Sequence, residues 1–284
     1  MRFVELSAVY ERLEATTKRL EMRAILVDLL KRLTPDELPE VLYLSQGLLR
    51  PEYEGVELGM AISLASKAVA LATSVPESEV AEHLARVGDL GTVVQELMER
   101  EAKHPSSPAL EVTEVYDGLR AIARASGEGS QEAKVQGLVR LLARALPIEA
   151  RYIVRFVLGT LRLGVREMTI LDALADAYGL GAKEARARTE AAFNVSSDLG
   201  LVAQRLAEHG LAGLDEIHLS VGRPIRPMLA ERSPNLADVL TRMEGKAAFE
   251  YKYDGLRIQA HIPADGPVRL FSRRLEDISA QFPE

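Results

Sequence analysis

The sequence predicts a mostly α-helical chain that gives way, after about residue 217, to a short β-forming segment. Three observations carry this. Apolar residues recur at spacings of three and four over most of the chain, Gly and Pro fall between those runs, and aromatic and β-branched residues gather in short runs near the end.

The helical pattern is plain in Leu26, Leu29, Leu30 and Leu33, again in Val135, Leu138, Val139 and Leu142, and again in Val154, Val157, Leu158 and Leu161. Good helix formers fill the positions between them. Thr34-Pro35-Asp36-Glu37 reads as a capping box with proline at the first helical position. His104-Pro105-Ser106-Ser107-Pro108 cannot be helical throughout and is expected to separate two sub-bundles, 1–104 and 109–217. Gly127-Glu128-Gly129-Ser130 breaks the next run, with Ser130 placed to cap the helix that follows. No fixed-period repeat is visible, so a solenoid is not expected.

Residues 218–284 have a different texture. Gly222, Pro224, Pro227 and Pro234 predict an extended linker. A short helix is expected over 235–244, then strands over 247–253, 256–262 and 268–272, the last two joined by a turn at Pro263-Ala264-Asp265-Gly266-Pro267. Three strands and a tail cannot enclose a core of their own, so the chain is expected to stop inside its second domain.

Composition narrows the function classes. With 284 residues, 47% of them hydrophobic and 27% charged, the chain can bury a core of one large or two ordinary domains. No apolar run is long enough to span a bilayer, and Met1 leads straight into mixed sequence. The lack of cysteine excludes disulfides, thiol nucleophiles and thiolate metal sites, and suits a reducing cytoplasm. The five histidines are scattered without metal-ligand spacing. A net charge of −7 argues mildly against a nucleic-acid partner, unless the cations are concentrated on one face.

The segment Phe249-Glu250-Tyr251-Lys252-Tyr253-Asp254-Gly255-Leu256-Arg257 carries the most chemistry. If extended, it points Glu250, Lys252 and Asp254 to one face and Phe249, Tyr251 and Tyr253 to the other. Gly255 permits a turn or a close backbone approach, and Arg257 offers a bidentate contact to phosphate or hydroxyl. A lysine attacks phosphorus only when neutral, and its ordinary pKa of about 10.4 leaves very little neutral amine at pH 7. Burial and nearby cations would lower that pKa, while Glu250 and Asp254 would raise it unless they are occupied by a metal or a base. On this local pattern alone, a surface strand with alternating charges explains the residues equally well.

Lys252-Tyr253-Asp254-Gly255-x-Arg257 resembles the Lys-x-Asp-Gly-x-Arg signature of covalent nucleotidyltransferases, which include DNA ligases, RNA ligases and capping enzymes. Further likeness is to archaeal and eukaryotic ATP-dependent DNA ligases. It lies in Arg223-Pro224-Ile225-Arg226-Pro227-Met228-Leu229-Ala230, in Phe271-Ser272-Arg273-Arg274-x-Glu276-Asp277, in Gly127-x-Gly129-Ser130-Gln131 and in Leu158-Gly159-Thr160-Leu161-Arg162-Leu163-Gly164-Val165. Thr16-Thr17-Lys18-Arg19 and Leu49-x-Pro51-x-Tyr53 also fit, so the resemblance spans nearly the whole chain.

The resemblance implies an all-helical DNA-binding domain over 1–217 and, over 218–284, a linker with the first strands of an α+β nucleotidyltransferase (ATP-grasp-like) domain. It implies Lys252 as the nucleophile that takes AMP from ATP, and Glu250, Tyr251, Asp254, Gly255, Arg257 and Arg273 around the nucleotide. Gly127, Gly129, Ser130, Gln131, Arg162 and Gly164 would contact DNA. By composition alone, a helix-terminating glycine is the simpler account of Gly164, and a solvated helix face suits Thr17-Lys18-Arg19 as well as a DNA contact does. Tyr152 and Tyr178 are expected in the core or at its boundary, and Glu52, Glu54 and Glu57 on solvated surface.

Magnesium is expected with ATP, its ligands not evident in this sequence, and nucleotide choice stays open between ATP, ADP and NAD. The expected partner is nicked duplex DNA, with a sliding clamp as an optional further one. The protein is expected to be a cytoplasmic monomer, associated with the nucleoid in a prokaryote. This chain alone is expected to be unable to seal nicks. Two rival classes are another covalent nucleotidyltransferase, such as an RNA ligase or capping enzyme, and a non-enzymatic DNA-binding module.

Overall fold

The structure, a computed structural model, describes residues 1–100, 109–178, 183–228, 232–251 and 253–282. The expected break at 104–108 lies outside the described residues, as does Lys252.

The first stretch forms α1 (Phe3–Glu14), α2 (Arg19–Leu30), α3 (Glu37–Ser45), a single 3-10 turn at Glu52–Glu54, α4 (Ile62–Thr73), α5 (Glu77–Val87) and α6 (Leu90–Arg100). After residue 109 come α7 (Val112–Arg124), α8 (Ser130–Leu142), α9 (Pro147–Val157), α10 (Glu167–Ala177), α11 (Lys183–Ser196), α12 (Leu199–His209) and α13 (Leu211–Asp215). The periodic leucines lie where their spacing puts them. Leu26, Leu29 and Leu30 are buried on α2, and Leu33 stays buried although α2 has already ended. Buried side chains from Phe3 to Leu214 form one contiguous core.

Four segments use the same start signal. The N–H groups of Arg2, Thr34, Glu111 and Leu146 donate to the carboxylates of Glu5, Glu37, Glu114 and Glu149, each three residues on, at 2.7–3.0 Å. Each bond gives a partner to a donor that the helix itself leaves open. At the expected box, only this half forms. The Thr34 hydroxyl donates to the same Glu37 carboxylate at 3.1 Å, and Pro35 falls in the turn before α3. Ser130 does not cap α8. Gly129 holds the cap position at φ 78°, a left-handed conformation that glycine adopts without cost, and Ser130 is the first helical residue.

Helix α9 ends earlier than its apolar pattern suggests. Gly159 (φ 65°) donates to Phe156 O at 3.0 Å and Thr160 to Arg155 O at 2.9 Å, a pair of bonds that closes the helix behind a left-handed glycine. Arg162 and Gly164 therefore lie in the loop beyond the helix end, not at it. Helices α6 and α9 meet most closely at Gly91, where a Cβ would come within 2.7 Å of Arg151 O. At the same seam, Arg155 donates to Asp89 at 2.7 and 2.9 Å and to Glu14 at 2.6 Å, while Arg151 and Tyr152 donate to Glu14 at 3.0 and 3.2 Å. This network ties α1, the start of α6 and α9 together.

Among its described residues the proline-rich stretch after α13 has no regular structure, but its first part is not a free linker. Ser197 Oγ donates to Pro224 O at 2.6 Å, the Arg226 N–H to Asn194 O at 2.9 Å, and the Arg226 guanidinium to Glu167 at 2.6 Å while lying 4.6 Å above the Phe193 ring. The chain is strapped to α10, α11 and the turn that follows α11.

Helix α14 (Leu236–Arg242) follows, its first turn capped by the Asn235 side chain accepting from the Asp238 N–H at 2.9 Å. Two short strands, β1 (Gln259–His261) and β2 (Arg269–Phe271), then pair antiparallel, with Ala260 opposite Leu270. The strand expected over 247–253 does not form among the described residues, and that expected over 256–262 shrinks to β1. A strand needs a hydrogen-bonded neighbour on at least one edge, and residues 246–251 and 253–258 have none.

Candidate functional site

Most of the residues expected at a nucleotide site sit in the segment around Lys252. Glu250, Tyr251, Tyr253, Asp254, Gly255 and Arg257 are all exposed, with Tyr251 at 89% and Tyr253 at 87%. Neither the acidic nor the aromatic side chains described in this segment are buried. Gly255 makes no close approach: a Cβ there would meet nothing within 4 Å, and its φ is not positive. Any special geometry at this glycine depends on surroundings that these residues do not supply.

Arg273 is better defined. It is exposed on a tight turn directly after β2. The turn is closed by Ser272, whose N–H donates to Glu276 O at 2.9 Å and whose hydroxyl accepts from the N–H groups of Arg274 and Glu276 at 3.1 and 3.3 Å. Leu275 N–H donates back to Ser272 O at 2.9 Å, and Leu275 itself takes φ 68°. Asp277 pairs with Arg269 at 2.8 Å and accepts from the Ser279 N–H and hydroxyl. Those bonds outweigh its slight burial and hold its carboxyl below the ordinary range.

The β-hairpin is fixed to the rest of the chain at both ends. At one end, Tyr53 (5% exposed) packs with Phe271 (0%) and Leu275 (4%) in a small apolar cluster separate from the main core. Burial pushes the Tyr53 phenol up to about 12, so it stays neutral. At the other end, the Gly222 N–H donates to His261 Nδ1 at 2.9 Å. Gln259 brackets Ile225 there, accepting from its N–H at 3.0 Å and donating to its carbonyl at 2.6 Å. Burial and the nearby Arg269 lower the His261 pKa, in keeping with a neutral ring that accepts at Nδ1.

The candidate DNA contacts fall on two parts of the helical region. Gly127, Gly129, Ser130 and Gln131 line one open pocket of about 450 Å³ together with Lys67 of α4 and Glu132 of α8. Both glycines are in the left-handed conformation, and the Ser130 N–H is already bonded to Gly127 O at 3.2 Å. The next first-turn N–H groups, from Gln131 on, remain for an anion. Lys67, which pairs with Glu132 at 2.9 Å, supplies a cation beside them. Arg162 is exposed in the 158–166 loop, and Gly164 (φ 69°) lies against Met22 of α2, whose Cε would be 2.7 Å from an added Cβ.

Tyr53 and Gln259 are the residues that sequence reading undervalued. Tyr53 stands among Glu52, Glu54 and Glu57, which are indeed exposed, and so it reads as part of a solvated acidic run. The one hint in the sequence is the Leu49-x-Pro51-x-Tyr53 pattern, noted above as part of the ligase resemblance. Tyr152 (1% exposed) and the half-buried Tyr178 sit as expected in and beside the core. Among the described residues no group of three or more His, Asp or Glu is placed to hold a metal ion.

The family model described as DNA ligase N terminus matches residues 2–175, and that described as ATP dependent DNA ligase domain matches residues 227–284. The chain is 47% identical over 287 aligned positions to DNA ligase 2 of Thermofilum pendens, covering 98% of this chain and 47% of that protein. It is 40% identical to DNA ligase 2 of Korarchaeum cryptofilum and 43% identical to the probable DNA ligase of Aquifex aeolicus, in each case over 100% of this chain and 48% of the other. The chain thus spans about half the length of the curated relatives it matches. With family models covering both its helical part and its β-forming part, the chain belongs to the ATP-dependent DNA ligases.

Proposed function

We propose that this chain is the DNA-gripping and nucleotide-receiving half of an enzyme that seals nicks in duplex DNA through a lysyl-AMP intermediate. The observation that carries this is the position of Lys252-Tyr253-Asp254-Gly255-x-Arg257. It lies inside the segment matched by the ATP dependent DNA ligase domain and follows a helical half matched by the DNA ligase N terminus.

The amine of Lys252 would attack the α-phosphorus of ATP, forming the N–P bond as pyrophosphate leaves. Arg257 and Arg273 would offset charge on the phosphates, Glu250 would accept from the adenine amino group, and Tyr251, Asp254 and Gly255 would shape the pocket. AMP would then pass to the 5′-phosphate of the nick, and the 3′-hydroxyl would displace it. Magnesium would neutralise the negative charge that develops on the phosphates as pyrophosphate leaves. In the helical half, the 127–131 turn, Arg162 and the backbone at Gly164 would meet phosphates without reading bases, as an enzyme that seals nicks in any sequence requires. The helical half disfavours an RNA ligase or capping enzyme, because a match to a DNA ligase N terminus would be unexplained there.

The test is mass spectrometry of the full-length protein after incubation with ATP and magnesium. A gain of one AMP at Lys252, abolished by Lys252→Ala, is the expected result; a protein that never acquires the adduct overturns the reading.

A further inference from the structure

The cluster of Tyr53, Phe271 and Leu275 joins two parts of the molecule that serve different steps. Tyr53 comes from the 3-10 turn between α3 and α4, on the helical side. That turn is rigid: the Glu54 N–H donates to Pro51 O at 2.9 Å, the Gly55 N–H to Glu52 O at 3.0 Å, and Arg50 pairs with Glu54 at 3.1 Å. Phe271 and Leu275 flank the 272–276 turn that carries Arg273. Leu275 is the unusual member. A leucine at φ 68° is disfavoured, and such a conformation persists only where the surroundings hold it. Its side chain is nevertheless buried, against Tyr53 and Phe271. The shape of the Arg273 turn therefore depends on an aromatic ring that the helical part provides.

We propose that Tyr53 is a positioning residue for nucleotide binding: its packing on Phe271 and Leu275 keeps the 272–276 turn in the shape that presents Arg273 to the nucleotide. The inference rests on the reading of this chain as a lysyl-AMP-forming ligase. It adds that the helical half, besides gripping DNA, completes the nucleotide site of the other half before any DNA is bound. The contact is local. An open cleft of about 670 Å³ runs beside it, with Arg50 and Glu57 on one side and Arg274 and Glu276 on the other. Removing the ring would not release the hairpin, because Gln259 and His261 still hold β1 to residues 222–225.

The experiment is single-turnover self-adenylation of the full-length protein without DNA, its rate followed against ATP concentration, comparing wild type, Tyr53→Phe, Tyr53→Ala and the double variant Tyr53→Ala/Leu275→Gly. Thermal denaturation of each confirms that it is folded. Tyr53→Ala should raise the ATP concentration that gives half the maximal adenylation rate about tenfold with little change in the maximal rate, as expected when one left-handed residue loses its support. Tyr53→Phe should behave as wild type. Glycine at position 275 adopts the left-handed conformation unaided, so the double variant should recover much of the lost affinity. An unchanged half-maximal ATP concentration in Tyr53→Ala overturns the inference, and so does a raised one that glycine does not restore. A wild-type protein that takes up no AMP would instead overturn the ligase reading itself, and the two failures are thus distinct.

Discussion

The helical part of this chain and the segment around Lys252 are built from similarly apolar sequence, yet one is closed and the other is open. In the helical part, Leu6, Leu42, Leu97, Leu138, Ile153 and Leu171 are at most 1% exposed. Around Lys252, Phe249 is 67%, Tyr251 89% and Leu256 61% exposed. The difference comes from where backbone hydrogen bonds are made. A helix satisfies its own N–H and C=O groups within one segment and needs neighbours only for its apolar stripe. A strand needs a second strand before it needs a core. A helical region can therefore be a finished object, whereas a strand-forming segment with no paired neighbour among the described residues cannot, and its aromatics stay exposed.

The largest effect that could break this comparison is in hydrogen exchange. Amides of α9 should exchange only through global unfolding, while those of 246–251 and 253–258 should exchange almost as in a peptide. Rates should differ by roughly 10³ or more at neutral pH. Comparable protection in both regions, read by mass spectrometry on this 284-residue chain, would mean that the segment around Lys252 has found strand partners that the structure does not show.

How much could be read from the sequence follows the same division. Leu26, Leu29 and Leu30 were legible because a period of 3.6 is written into neighbouring residues. The Glu-based helix starts were half legible at Thr34–Glu37, where the acid was foreseen and the role of the threonine was not. The end of α9 was misplaced because Leu161 continues the apolar period after Gly159 has turned the chain; it packs against the core from the loop. The strands around Lys252 were overcalled because strand propensity describes a side chain that fits a sheet, and it cannot supply the sheet. At the candidate site, Lys252, Asp254 and Arg257 were legible as a string of residue types. Tyr53 was not, because its partners Phe271 and Leu275 are remote in sequence and no local pattern encodes a contact at that range.

A middle-sized effect would sharpen the account of the closed half. Arg155 (side chain 14% exposed) joins Glu14 and Asp89, so Arg155→Ala leaves Asp89 without its cation and Glu14 with Arg151 and Tyr152 alone at the seam of α1, α6 and α9. The expected loss is about 2–3 kcal/mol, below the ~3–5 for a fully buried pair, because both acids keep some solvent. Denaturant unfolding by circular dichroism measures it. The pH dependence adds a check of sign. Burial alone would raise the Asp89 pKa, but the Arg155 and Thr92 hydrogen bonds outweigh it and leave it depressed. A depressed carboxylate contributes stability above its unfolded pKa of about 3.9, and that contribution is lost as pH falls through the folded value. The acid decline below about pH 4 should therefore be shallower in Arg155→Ala than in the parent chain. Equal slopes would show that Asp89 draws little from Arg155.

The smallest effect is the most informative about the open half. Tyr251→Ser in this chain should change unfolding free energy by no more than about 0.5 kcal/mol, because an 89% exposed ring gives up almost nothing when it is removed. The same substitution at Tyr53, which is 5% exposed, removes most of a buried aromatic and should cost roughly 3 kcal/mol if the Phe271–Leu275 cluster unfolds together with the helices. If Tyr53→Ser also proves silent in global unfolding, the hairpin must open independently while the helical core stays folded, and hydrogen exchange at β2 would then rise without any loss at α9. Should Tyr251→Ser instead prove costly, the ring must already be buried in solution. The contrast between a closed helical half and an open segment around Lys252 would then be wrong at the residue beside the proposed nucleophile.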